Sequence, residues 1–294
     1  MRISFLIICL FCFLSVNGQS QYSYYPVQFS QYMRHYHFIN PASIGSASKL
    51  ETTLGSRNHI GNFSSIATYF AGFSYAVRNP LKKNKPFSVL GLKVDTDQEG
   101  RYIARNRFYL AYAFHFRVFN DYYLSGGVDF GTLNMSVKGT PSVGDKSEFV
   151  PDANSGVWLY KDGFHLGVSV NQIFNGRLQP YQEISQMQRH VNITVMKQFR
   201  INSYFSVRPS FLFRFPSYLD YNADYSVECE VAGLVAGFSL RHKLGGAFWL
   251  GMKNIVVFDG NLEAVLCYNT PMQRSLVNVS SLELILKYGL KNNE

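Results

Sequence analysis

Beyond its N-terminus, the chain has no apolar run of about 18 or more residues, which argues against ordinary membrane-spanning helices. Charged residues are also scarce, at 16% of the 294 residues, whereas an ordinary globular chain has roughly 25%. Lys and Arg exceed Asp and Glu, for a formal net charge of +9, but they form no dominant cluster. The sequence therefore does not favour a nucleic-acid partner.

Recognisable catalytic motifs are missing as well. The residues after 18 contain no Gly-x-Ser-x-Gly elbow, His-Glu-x-x-His helix, P-loop or Cys-x-x-Cys pair. Among the histidines only His35 and His37 lie close together, without further clustered ligands, so we expect them in a loop or an aromatic belt. The stretch Asp95–Gly100 resembles a calcium loop but lacks the distal Glu, and we expect it to be an external hairpin loop. We predict no enzyme, no cofactor and no metal.

Aromatic residues, in contrast, are abundant. They make up 16% of the chain, with 20 Tyr and 25 Phe, far more than a water-soluble core needs. A chain that is rich in aromatics, poor in charge and without spanning helices is typical of a β-barrel in an outer membrane.

The first 18 residues have the features of a cleaved secretion signal. Arg2 is the basic start, Ile3 to Leu14 is the apolar core, and a cleavage site follows before Gln19. The bulky residues before Cys9 and Cys12 disfavour lipid attachment. Cleavage would remove one positive charge and leave +8. We therefore predict an exported protein located in the bacterial outer membrane.

A two-residue alternation recurs through the rest of the chain. Between Phe164 and Asn171, Phe, Leu, Val and Val fall on one face, and His, Gly, Ser and Asn on the other. The same pattern runs through residues 107–118, 205–215 and 282–288, and many segments reach about ten residues, the length of a tilted membrane crossing. Small and charged residues share the polar face, as in a barrel interior. A soluble sandwich is the alternative that these features disfavour.

Counting such segments predicts an all-β fold, a transmembrane antiparallel up-and-down β-barrel of about 14 strands. The predicted strands are 48–57, 65–78, 87–95, 104–119, 122–137, 153–160, 164–174, 190–200, 203–215, 223–231, 233–241, 247–257, 261–269 and 281–290. Tight turns follow most even-numbered strands and long connections follow odd ones, so both termini are expected on the periplasmic side. If the short reversal at Val231–Gly233 were not a turn, the barrel would have 12 strands.

The same alternation predicts which charged side chains point into the barrel. The candidate lumen-lining residues are Arg107, Arg117, Arg208, Arg214, Arg241 and Glu263, with Asp129, Glu228, Glu230 and Glu283 as acidic neighbours. Such charges can neutralise one another across the lumen or select solutes, and we favour the structural role. Cys229 and Cys267 fall on opposite faces of their strands, so no disulfide is expected between them.

Ahead of the first strand lies a segment with a distinct composition. Gln28, Phe29, Ser30, Gln31, Tyr32 and Met33 combine aromatic rings with amides, and Asn40, Pro41 and Ala42 follow, then Gly45. Proline excludes the helical region for Asn40, whose side chain can bond to its own backbone, so we predict an ordered lead-in to the sheet. A solvated tail is the alternative.

These two motifs resemble the start of the PorP/SprF family, outer-membrane proteins of the type IX secretion and gliding machinery of Bacteroidetes. Residues 57–71 are similar to the family's first hairpin, Pro151–Tyr160 to a "PDxNxGxxxY" strand, and residues 281–288 to its closing strand. The segmentation is then 1–18 signal peptide, 19–47 N-terminal periplasmic or plug-like segment, and 48–294 barrel. Residues 28–33 and 40–42 are the candidates for plugging the lumen or binding a partner.

The resemblance implies a non-enzymatic component that assists export or surface anchoring of a large adhesin-like substrate with a type IX C-terminal domain. Its expected partners are outer-membrane lipid, type IX secretion and gliding components on the periplasmic side, and the secreted adhesin. Two other functions remain open: a diffusion channel for small solutes, with inward arginines favouring anions, and a lipid hydrolase, which the missing motifs disfavour.

Overall fold

Fourteen antiparallel strands pair in sequence order, and the last pairs with the first to close a barrel. The computed structural model describes residues 22–24, 26, 29–77, 85–139, 144–180, 185–216, 221–242, 244–271 and 279–290. The proposed signal, Gln28 and the residues after 290 lie outside them. The strands are β1 Leu50–His59, β2 Ala67–Ala76, β3 Phe87–Glu99, β4 Ile103–Arg117, β5 Tyr123–Val137, β6 Lys146–Lys161, β7 Phe164–Asn171, β8 His190–Lys197, β9 Phe205–Pro216, β10 Asn222–Val231, β11 Leu234–Arg241, β12 Gly245–Val257, β13 Gly260–Pro271 and β14 Ser281–Leu290.

The alternation of the sequence becomes the two faces of the barrel wall. In β4, every second residue from Arg105 to His115 is buried, while Phe108, Leu110 and Tyr112 between them are exposed on the outside. A lipid-facing surface needs apolar side chains, and the lumen can hold polar ones. Where the chain is described, no helix is both long and apolar enough to cross a bilayer.

One end of the barrel carries the tight turns. At the β10–β11 turn, Ala232 and Gly233 have φ of 49° and 87°, the two positive values of a type I′ hairpin turn. This end, which also holds the turns at 120–121, 162–163 and 258–259, is called the short-turn end. The opposite end, with the connections between β5 and β6, β7 and β8, and β13 and β14, is called the long-connection end. The 14-strand count is confirmed, and the 12-strand alternative is wrong.

Two predicted boundaries differ from the structure by four residues or more, the end of β3 and the start of β6. β3 continues to Glu99, so Asp95 and Asp97 are buried strand residues and not part of an external loop. Asp95 pairs with Arg107 on β4, and Asp97 accepts a hydrogen bond from Thr68. Because these partners lie on neighbouring strands, local sequence did not reveal them.

The second difference is β6, which begins at Lys146 instead of 153 and shortens the connection before it. The connection between β7 and β8 contains two short strands, Arg177–Leu178 and Ser185–Met187. Leu178 and Met187 pack with Leu133 and Met135 of β5, so this connection folds over the long-connection end of the lumen. Cys267 is buried, Cys229 is half-buried and both are free, as predicted.

Candidate functional site

The N-terminal segment runs through the lumen from one end of the barrel to the other. Tyr22–Tyr24 pairs in parallel with Ser185–Met187 in the connection at the long-connection end. Farther along, the backbone N–H of Ser30 donates to Glu283 near that end of β14. Ala42 accepts a hydrogen bond from Ser125 at the start of β5, near the short-turn end. The chain then enters β1 at the short-turn end.

The sequence predicts both termini on the side of the short turns, whereas Tyr22–Tyr24 lies at the opposite end. Residues 29–45, here named the lumen segment, are buried or half-buried and form three 3-10 turns, Tyr32–Arg34, Tyr36–Phe38 and Pro41–Ser43. The alternative of a solvated tail is wrong for these residues. A barrel of this width has an interior that wall side chains alone leave partly empty, and the segment fills it.

Arg34 is the only charged residue of the lumen segment apart from histidine, and it is 3% exposed. Its guanidinium pairs with Glu228 on β10 and, through Nε at 2.9 Å, with Glu263 on β13. Glu228 also accepts from Arg208 and Lys253. The nearby carboxylates favour the charged guanidinium and raise the pKa of Arg34, although burial opposes this. The segment is thus tied to two separate strands by one side chain.

Ser30 makes a second polar attachment nearer the long-connection end. Its N–H lies 3.1 Å from both carboxylate oxygens of Glu283. Its hydroxyl donates to Asn269 and accepts from Arg241 at 2.8 Å. Glu283 also pairs with Arg57 on β1, so the segment joins a network that spans β1, β11, β13 and β14.

The Asn-Pro-Ala motif adopts the local structure that the sequence predicts. Asn40 is extended, with φ −139° and ψ 111°, and its Oδ1 accepts from the N–H of Ala42 at 2.9 Å. Its Nδ2 donates to the carbonyl oxygens of Val157 and Val168 at 3.0 and 3.1 Å. The side chain therefore caps its own turn and binds to the backbone of β6 and β7.

The same turn packs directly on the barrel backbone where the wall has glycine. A methyl group on Gly127 would overlap the backbone of Ala42, and one on Gly156 would overlap the side chain of Asn40. Gly126, one position earlier, has nothing within 4 Å of such a methyl group. Glycine is required at these two lumen-facing positions because the backbone of the wall and the turn of the lumen segment approach so closely.

Aromatic rings hold the middle of the segment. The His35 ring lies 5.3 Å from Phe29, 6.1 Å from Phe38 and 4.9 Å from Phe70 of β2, measured between ring centroids. Burial lowers the pKa of His35 to about 3, so the imidazole is neutral at physiological pH. His37 is also buried, and burial lowers its pKa too. The two histidines thus lie in the lumen and not in the expected loop or belt, and the described residues contain no group of metal ligands.

Cavities lie on both sides of the lumen segment. A cavity of ≈60 Å³, the long-end cavity, is bordered by Asp95, Arg107, Gln172 and Arg214. A larger one of ≈690 Å³, the short-end cavity, is lined by residues that include Tyr36, Tyr160 and Lys287. The lumen segment thus borders both cavities, and no described residue lines the two of them.

The predicted lumen-lining residues lie on the inner face of their strands. Arg107 pairs with Asp95, Arg208 with Glu228 and Arg241 with Asp224. Arg214 donates to Asn192 at 3.2 Å, and Glu263 pairs with Arg34. Arg117 is different, because it lies at the short-turn rim, pairs with Asp121 and is partly exposed.

Among the candidates in the segment, Phe29, Ser30, Gln31 and Tyr32 are buried, and Met33 is half-buried against a cluster that includes Trp249. Asn40, Pro41 and Ala42 are also buried. Arg34 was not predicted from the sequence. The signal that could have identified it is a lone cation that follows Tyr32 and Met33 in an otherwise uncharged segment. Gly127 and Gly156 were not predicted either, and their signal was a small residue on the inward face of a strand.

The close packing at Gly127 leads to a first prediction. Gly127→Val should force the Asn40–Ala42 turn away from β5 while the sheet stays paired. Overpacking of this kind costs about 1–3 kcal/mol, so the amide of Ala42 should exchange its hydrogen roughly tenfold faster or more. Hydrogen exchange followed by mass spectrometry measures this change. Gly126→Val is the matched control and should leave exchange unchanged; equal effects from both variants would contradict the packing.

The neutral state of His35 leads to a second prediction. Its ordinary pKa is near 6.5, so below that pH the unfolded chain binds a proton that the folded chain cannot bind. The free energy of unfolding therefore decreases as the pH is lowered. Glu283 opposes this effect, while Lys287, Arg34 and Arg57 reinforce it. His35→Phe should reduce the loss of unfolding free energy between pH 7.5 and 5.0 by about 2 kcal/mol. Urea unfolding in lipid vesicles measures it.

A neighbouring ring provides the comparison for that measurement. Phe38 lies 6.1 Å from His35 and has no titratable group, so Phe38→Leu should keep the pH dependence of the unsubstituted protein. If His35→Phe also kept it, His35 would not be held neutral in the folded lumen.

Solved structures with a similar fold are outer-membrane barrels. The chain matches a Pseudomonas aeruginosa FadL homologue with a TM-score of 0.54 and 9% identity over 87% of this chain and 93% of that chain. It matches the Pseudomonas putida toluene transporter TodX with a TM-score of 0.55 and 11% identity, over 86% of this chain and 93% of that chain. It matches the CymD monoaromatic hydrocarbon channel with a TM-score of 0.53 and 9% identity, over 88% of this chain and 91% of that chain. At these identities the likeness concerns the fold alone.

No curated protein matches the chain. A family model does: the one described as type IX secretion system membrane protein PorP/SprF matches residues 21–288, which is most of the sequence. Together with the outer-membrane barrel fold, this match confirms the resemblance carried by the two N-terminal motifs. The chain belongs to the PorP/SprF family of type IX secretion system membrane proteins.

Proposed function

We propose that this protein assists the export or the surface anchoring of a large adhesin-like substrate with a type IX C-terminal domain. The observation that carries the proposal is the family match over residues 21–288, which makes the chain a membrane component of that secretion system. The sequence after residue 18 contains none of the common catalytic motifs, and the role that we propose is one of binding and positioning.

The occupied lumen supports this function over free diffusion of small solutes. Residues 29–45 border both cavities, and Arg34 ties this segment to both β10 and β13. The burial of Phe29 to Tyr32 also favours a plug over a docking element in this part of the chain, because a partner cannot reach these side chains. A secreted polypeptide therefore passes outside this lumen, and the barrel acts as an anchor or adaptor.

The short-turn end is the side proposed to face the periplasm and its type IX partners. Outer-membrane barrels have short periplasmic turns and longer external connections. The short-end cavity opens there and offers Tyr123, Tyr160 and Phe164 beside Lys161 and Lys287, a mixed surface suited to a protein partner. The secreted adhesin would then be held at the opposite, external end.

Deletion of the gene tests the role in secretion. Without the protein, most of the adhesin should disappear from the cell surface, because its export or its attachment has lost a component. Quantitative blotting separates the two: retention in cells indicates export, and release to the medium indicates anchoring. Complementation with the unsubstituted gene is the control. If the adhesin remained secreted and attached at its normal level, the proposal would be wrong.

The orientation has its own test, because the segment crosses the lumen. A short epitope inserted before Tyr22 should be accessible to antibody on intact cells, since Tyr22–Tyr24 pairs at the long-connection end. An epitope added after Leu290 should be accessible only in permeabilised cells. Protection of the first epitope on intact cells, with the protein inserted, would reverse the proposed orientation.

A further inference from the structure

The lumen segment supplies a cation that the barrel wall lacks. Around Arg34 the wall contributes three carboxylates, from Glu228, Glu230 and Glu263, and two cations, from Arg208 and Lys253. With Arg34 in place the numbers of opposite charges are equal. Without it, this part of the wall carries one more negative charge than positive.

A bulge in β12 concentrates charge at this place. The register between β12 and β13 shifts between Met252 and Ile255, where Asn254 has φ of 59°. A bulge turns consecutive side chains toward the same side. Here Lys253 reaches Glu228 at 2.8 Å, and Asn254 lies 3.5 Å from Glu230. Even with this added cation on the wall, Arg34 is needed to match the three carboxylates.

Glu283 is a second carboxylate that depends on the segment. Both of its oxygens accept from the N–H of Ser30, and without Ser30 it keeps wall partners that include Arg57 and Asn269. Other wall cations keep a carboxylate partner on the wall itself. Arg107 pairs with Asp95. Lys93 with Asp129 and Arg241 with Asp224 are also wall pairs, although Lys93 additionally donates to the carbonyl of His37 and Arg241 to the hydroxyl of Ser30.

The barrel does not need the segment for its own closure. Each of the 14 strands pairs with both neighbours, and residues 29–45 form no strand pair with the wall. The segment also buries polar atoms that have no hydrogen-bond partner. They are both amide atoms of Gln31, Nε and Nη1 of Arg34, Nδ1 of His35, the hydroxyl of Tyr36 and Nε2 of His37, and of these Nε of Arg34 contacts Glu263 as an ion pair. Buried groups of this kind weaken its hold, because each was hydrated outside the barrel.

We propose that the barrel is an ion pathway closed by its own lumen segment, and that with the segment withdrawn it conducts cations in preference to anions. Glu228 and Glu263 then face an aqueous lumen without the cation of Arg34, and Glu283 faces it without the N–H of Ser30. The inward arginines do not make the open lumen anion-selective, because Arg107, Arg208 and Arg241 keep their carboxylate partners on the wall. This inference uses the proposed role of the segment as a plug but not the role in adhesin export.

Conductance of purified protein in planar bilayers tests the inference. The full-length protein should be silent, whereas Arg34→Ala and a variant lacking residues 29–45 should both conduct. Under a KCl gradient, the reversal potential of the open variants should indicate that K⁺ is more permeant than Cl⁻. Adding Glu263→Gln to the deletion variant should move that reversal potential toward zero, since this substitution removes the one excess negative charge.

Two controls separate loss of the plug from loss of the fold. Arg200→Ala removes a cation from an exposed pair with Asp162 at the short-turn end, so it should remain silent. Folding of every variant is checked by its heat-modifiable migration on gels. A synthetic peptide of residues 29–45 should close the deletion variant, and the same peptide with Arg34→Ala should close it less well.

Two results would overturn the inference. Folded but silent Arg34→Ala and deletion variants would mean that the wall side chains close the lumen by themselves. Open variants that prefer Cl⁻ would mean that the charge argument is wrong. Neither result depends on whether adhesin reaches the surface, so failure here and failure of the secretion role are distinguishable.

Discussion

The constraint on which the structure depends is that no backbone amide group in the bilayer can go without a hydrogen-bond partner. An open sheet would leave two edges unpaired, so β14 must pair with β1. Closure then fixes the direction of every side chain, because successive residues of a strand point to opposite sides. The aromatic-rich rows meet lipid, and the polar and small rows meet in the lumen.

Closure at 14 strands creates the next requirement, which is a filled and neutral interior. Charges in such an interior gain little stability from pairing, but each one without a partner costs several kcal/mol. The wall satisfies most of its carboxylates with its own Arg and Lys residues. For the group of Glu228, Glu230 and Glu263 the wall falls one cation short, and the lumen segment completes the set with Arg34. Filling and neutralisation are thus achieved by the same stretch of chain.

The sequence predicted the wall well because alternation is a local signal with a period of two. All 14 strands lie close to their predicted positions, and the turn at Ala232–Gly233 was found even though it has only two residues. The Asn40 turn was also predictable, since proline and the Asn side chain act over three residues. In contrast, the extension of β3 through Asp95 and Asp97 was not predicted, because the residues that pair with them, Arg107 and Thr68, lie on other strands.

The path of residues 29–45 was beyond local reasoning for a similar reason. These residues have no regular period, and their partners come from strands up to 253 positions away, as Ser30 and Glu283 illustrate. Composition showed aromatic rings and amides, which suit a lumen as well as a binding surface. Only the closed wall decides between them, because it offers Gly127 and Gly156 where the segment needs room.

The choice of arginine at position 34 follows from this geometry. Glu228 and Glu263 belong to different strands, and one guanidinium reaches both, through Nη2 and Nε. A guanidinium spreads its charge over a planar fork, whereas a lysine ammonium is a compact point charge. The planar fork therefore links β10, β13 and the segment at once, so the position of the segment is specified by the wall and not only by its apolar rings. The sheet of the barrel is complete without the segment, so Arg34 does not hold the wall together. Its guanidinium instead makes the charge balance of the wall depend on whether the segment occupies the lumen.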